Sequence, residues 1–149
     1  MELTGPEYRQ LALVILAREG GDSPDADVLH RATERVFSQL LSQLARLVGV
    51  TGSLALFTRA VHLVRGEFPF LEPVQVGTNA DACRKALGEA LRTVAPEQAH
   101  DGVAALLASC LGLLASFIGD DLVLILVREI WPDLPAMHDK PGAGDTPND

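Results

Sequence analysis

Arg59, His62 and Arg65 recur at three-residue spacing, and Arg128 stands in the same local sequence context as Arg65. Residues three apart on a helix share a side, so the first three form a short basic strip. Its chemistry is recognition of an anion or an acidic partner, not bond-making. The competing role is structural: a solvated helix face, or ion pairs to Glu67 and Glu129. Arg65 and Arg128 could also meet the helix-end carbonyls near them. A second set, Phe57, Phe68, Phe117 and Trp131, could line a pocket between two halves of the chain. Phe68 and Trp131, each followed by proline, read first as plugs that close the end of a core.

Little else in the chain offers chemistry. Gly20-Gly21 lacks a following Lys-Ser/Thr, so it is not a phosphate loop. His30, His62, His100 and His138 are far apart, and no paired-histidine or calcium-loop spacing occurs. Cys83 and Cys110 lie in apolar helical patterns without a CxxC, which predicts two buried reduced thiols. Ser109 and Ser116 sit in an apolar helix, where hydroxyls bond back to the preceding turn. The expectation is a non-enzyme with no catalytic residue, cofactor or metal.

Those residues must be positioned by helices. The 149 residues are 48% hydrophobic but only 5% aromatic, with Ala and Leu supplying most of the apolar mass; this favours helix over sheet and one domain. A net charge of −8, with no basic stripe of the length a duplex binder shows, argues against nucleic acid. The start of the chain has no basic signal-peptide pattern, so the expected location is the cytoplasm. Ala/Leu/Arg richness suggests a bacterial origin.

Stop and start signals divide the chain into about six helices. Pro6 opens the first, which ends at Gly20-Gly21. Asp25 caps a second that runs to Val48, with Val28, Leu29, Ala32, Val36, Phe37, Leu40, Leu44, Leu47 and Val48 on its apolar face. Gly49 stops it. A third helix places Leu54, Phe57, Val61 and Val64 inward and ends at Pro69. After a connector in which Val74-Gln75-Val76 is briefly extended, Asn79 caps a fourth helix to Val94. Its inward residues are Ala82, Cys83, Ala86, Leu87, Ala90 and Leu91. Pro96 opens a fifth that Gly119 stops, and a short sixth ends near Trp131. Residues 135–149 are polar and expected to be disordered.

The chain also repeats itself. Leu63-Val64-Arg65-Gly66-Glu67-Phe68-Pro69-Phe70-Leu71 returns, 63 residues later, as Leu126-Val127-Arg128-Glu129-Ile130-Trp131-Pro132-Asp133-Leu134. The helix before each copy aligns 70 residues apart, so that Leu44, Leu47, Val48 and Gly49 fall against Leu114, Phe117, Ile118 and Gly119. The seven-residue difference is close to two helical turns and keeps the same face inward. This predicts pseudo-repeats over about 6–71 and 80–134, within a helical domain of residues 1–134.

Val103–Ile118 contains no charge. A helix apolar all round is either central in a bundle or in a membrane. Sixteen residues span about 24 Å, short of a hydrocarbon core of about 30 Å, so a central buried helix is favoured. The expected fold is therefore all-α: a single-domain bundle of two three-helix halves around this helix. The expected function is a non-enzymatic protein-interaction or regulatory module that binds a protein partner or itself. The alternatives are a small-molecule sensor with a pocket between the halves, and a conditional membrane-inserting domain.

Overall fold

The computed structural model describes residues 5–20, 25–72, 74 and 80–134. These form five α-helices, α1 (Gly5–Arg18), α2 (Ala26–Val64), α3 (Ala80–Leu91), α4 (Pro96–Ile118) and α5 (Asp120–Ile130). One 3-10 turn, Pro69–Leu71, follows α2, and no strand occurs among the described residues. The tail from 135, Asn79, Gln75, Val76 and the side chain of Cys83 lie outside the described part.

Most boundaries follow from local chemistry. The Asp25 carboxylate accepts hydrogen bonds from the backbone N–H groups of Asp27 and Val28, satisfying two of the donors that a helix start leaves open. Pro96 stands in the first turn of α4, where its missing N–H is not needed. The α2 helix ends at Val64 rather than at Pro69, and α3 ends at Leu91, short of Val94.

The expected second and third helices are the two arms of α2, which meet at a kink at Gly49. The 39 residues of α2 run through Gly49, which alone departs from helical geometry at φ 83°, ψ 163°. Phe37 and Phe57 lie 20 positions apart, about 30 Å along a straight helix. Yet their rings meet edge to face at a centroid distance of 5.7 Å. The α2 helix is thus folded back on itself at Gly49, with both arms facing a shared core. Gly119, between α4 and α5, adopts nearly the same conformation, φ 91°, ψ 155°.

The α4 helix is central. It packs against α1, α2 and α5 and is buried at Ala99, Gly102 to Ala108, Cys110, Leu111 and Leu114. At Gly102 a β-carbon would approach the Phe70 ring to 2.5 Å, so glycine lets α4 lie close to the 3-10 turn. The α1 helix packs mainly on α4, whereas α3 packs on α2 and the 3-10 turn. One apolar core joins these elements from Tyr8 to Leu134.

Two helices, α2 and α4, are long and apolar enough to cross a membrane by length and composition. In this fold the bend in α2 and the burial of α4 direct much of that apolar surface against protein. The inward expectation fails at Leu47 and Val48, 55% and 43% exposed beside the Gly49 bend, at Phe117, 75% exposed beside Gly119, and at the exposed Ala82.

Candidate functional site

The basic strip stays on the outside of the second arm of α2. Arg59 and His62 are exposed and Arg65 is partly covered. Arg65 caps α2 through its backbone N–H, which bonds the Val61 carbonyl at 3.0 Å. Glu67, a possible partner for Arg65, instead pairs with Arg9 at 3.6 Å. Arg128 is exposed in the last turn of α5.

The four aromatics occupy four different surroundings. Phe57 packs on Phe37, and Phe68 meets Phe70 edge to face. Trp131 is wholly buried, while Phe117 is 75% exposed. An open depression of about 460 Å³ does exist, but it is polar and lies on α2, lined by Arg31, Glu34, Arg35, Ser38 and Gln39.

Phe68 and Trp131 nevertheless do the same thing locally. Their backbones match, φ −127°, ψ 79° and φ −128°, ψ 78°. Each N–H bonds the carbonyl four residues back, on Val64 and Val127, at 2.9 and 2.8 Å. Each carbonyl then accepts from the buried leucine three residues on, Leu71 or Leu134. A residue before proline avoids the helical region, so both copies turn the chain at the same point and drop the aromatic into the core.

The densest polar cluster surrounds Glu19, which sequence reasoning did not single out. Its side chain is 7% exposed. One carboxylate oxygen accepts from Arg35 Nε at 3.0 Å. The other accepts from Arg18 Nη1 at 2.9 Å and from Trp131 Nε1 at 3.0 Å. Arg35 also donates to the Glu19 carbonyl at 2.5 Å. Arg18 continues to Asp133 at 2.6 Å, and this hydrogen bond holds the Asp133 carboxyl below the usual carboxylate range. A buried carboxylate requires such pairing. The cluster joins the end of α1 to α2 and to the turn after α5.

The other end of α1 is tied by Tyr8, whose hydroxyl donates to Asp120 at the start of α5. Burial, then that hydrogen bond, then the charges of Asp120 and Glu7 hold the hydroxyl above the usual tyrosine range. The unfolded chain releases this proton near pH 10, whereas the folded chain retains it. The contribution to stability is therefore complete below about pH 10 and is lost as pH rises beyond it, by at most about 1.4 kcal/mol per pH unit. Tyr8 is the chain's one tyrosine, so tyrosinate absorbance reports it directly. Its ionisation should coincide with unfolding, and a folded protein ionising near pH 10 would contradict this account.

Burial pushes the Cys110 thiol up to about 12, away from the reactive thiolate. Ser116 donates back to the Leu113 carbonyl at 2.6 Å. No group of three or more His, Cys, Asp or Glu able to hold a metal occurs among the described residues. No protein-family model, curated protein or solved structure matches this chain.

The surface feature that stands apart is apolar. Leu47, Val48, Val50, Leu63, Phe117, Leu122 and Ile125 are exposed. All but Leu63 cluster in sequence around the two glycine bends. Periodicity places Leu47 and Val48 inward, and the signal that finds these residues is adjacency to Gly49 and Gly119.

Proposed function

We propose that this chain is a non-enzymatic helical interaction module, built as two related halves and docking through its two glycine corners. The observation that carries this reading is the set of six large apolar side chains exposed around Gly49 and Gly119. Apolar surface gathered at defined places on an otherwise packed bundle marks a binding site more often than scattered single residues do.

The two-halves reading rests on matched geometry. Both bends use a glycine in the same unusual conformation, and both aromatic-proline turns have the same backbone angles. The packing is also reciprocal. The α1 helix leans on α4 and its end meets the Trp131 turn, while α3 leans on α2 and the turn after Phe68. Each half thus lends its first helix to the other. Superposing residues 26–69 on 96–132 tests the relation.

Photo-crosslinking tests the function. A crosslinker placed at Leu47 or Phe117 in cells should give discrete protein adducts, and one at the exposed, polar Glu34 should give none. Serine at both Leu47 and Phe117 should leave stability within about 0.5 kcal/mol, as expected for surface changes, and remove adducts formed from a crosslinker at Leu122. Absence of any adduct at either corner counts decisively against the module.

A further inference from the structure

The two corners are not alike in charge. From Val36 to Thr58 the sole charged residue is Arg46, one position before Leu47. From Gly102 to Val127 the sole charged residues are Asp120 and Asp121, between Phe117 and Leu122. The Gly49 corner is therefore apolar with a basic flank, and the Gly119 corner apolar with an acidic flank. Arg46 and Asp121 are both exposed.

We infer that the occupant of each corner is the opposite corner of a second copy of this chain. This rests on the interaction-module reading and names its partner. Leu47, Val48 and Val50 of one copy would pack against Phe117, Leu122 and Ile125 of the other, with Arg46 facing Asp121. Apolar contact supplies the affinity, and the rim charges set the pairing. Like-with-like docking would instead place Arg46 against Arg46 and Asp121 against Asp121, which opposes association. Two such contacts related by a two-fold axis close a dimer; without that axis the same contact builds a ring or a chain.

Sedimentation over a dilution series provides the test. The full chain should associate beyond its 15.9 kDa monomer mass and dissociate on dilution. Arg46→Asp and Asp121→Arg should each weaken association about tenfold or more. Mixing these two variants, or combining both changes in one chain, should restore it to within a few-fold of wild type. Phe117→Ser should weaken it about 30-fold or more, with helical circular dichroism unchanged in every variant. A wild-type monomer at all concentrations up to about 1 mM overturns the inference, as do single reversals that leave association intact or a mixture that fails to recover. Monomeric protein that floats with phosphatidylcholine vesicles also overturns it, in favour of a lipid occupant. Cellular adducts to a different protein, with no self-association in solution, would overturn this inference and leave the interaction module standing.

Discussion

Replacing Trp131 with alanine should cost about 3–5 kcal/mol, the range for truncating a fully buried large aromatic. Against a stability of roughly 5–15 kcal/mol for a typical domain, that is a large share. Two effects combine. The ring fills the core at zero exposure, and its N–H is one of three side-chain donors that satisfy Glu19. Conservative variants separate them. Trp131→Phe keeps most of the ring and leaves Glu19 its two arginines, so it should cost only about 1–3 kcal/mol. Glu19→Ala deprives the buried indole N–H of its acceptor and should cost a similar amount. Trp131 is the chain's one tryptophan, so its fluorescence follows urea unfolding of the wild type and of the Glu19 variant, and circular dichroism follows the rest. An alanine variant losing under 1 kcal/mol would show that the turn after α5 does not close the core.

Alanine at Gly49 or Gly119 should cost about 1–3 kcal/mol at each position, although no side chain or backbone beyond the adjoining chain lies within 4 Å of where either β-carbon would go. The cost is purely backbone: positive φ with ψ near 160° is a region reserved almost wholly for glycine. D-alanine reverses the steric preference. Introduced by semisynthesis, it should be tolerated at both bends and stabilise by about 0.4–1 kcal/mol, because it restricts the unfolded chain. Urea midpoints of the L- and D-alanine proteins give the comparison. Equal stability of the two would mean that the bends relax into another conformation and do not direct the hairpins.

These two predictions fall on residues of different visibility. Gly49, Gly119, Pro96, Asp25 and the aromatic-proline pairs were all legible, because each acts through its own backbone or through atoms within four residues. The plug role of Phe68 and Trp131 was legible for the same reason. Glu19 was not. Its donors Arg35 and Trp131 lie 16 and 112 positions away, and a glutamate before two glycines looks like an ordinary solvated helix end. The exposure of Leu47 and Val48 was hidden differently. Periodicity states which side of a helix a residue faces, and says nothing of whether another element extends far enough to cover it.

Gly49 departs from helical geometry as its residue type predicts, and helix resumes at Val50; the sequence leaves open that the two arms fold back to share one core. By itself the sequence determined an all-helical chain, the places where its helices start and bend, and a central apolar segment, since sterics and capping operate over one turn. Only the tertiary structure decided that α1 leans on α4 and α3 on α2, that Glu19 is buried among three donors, and that two apolar corners remain uncovered. Each of these depends on contacts between distant segments, where burial and desolvation act on the assembled surface and no local pattern records the outcome.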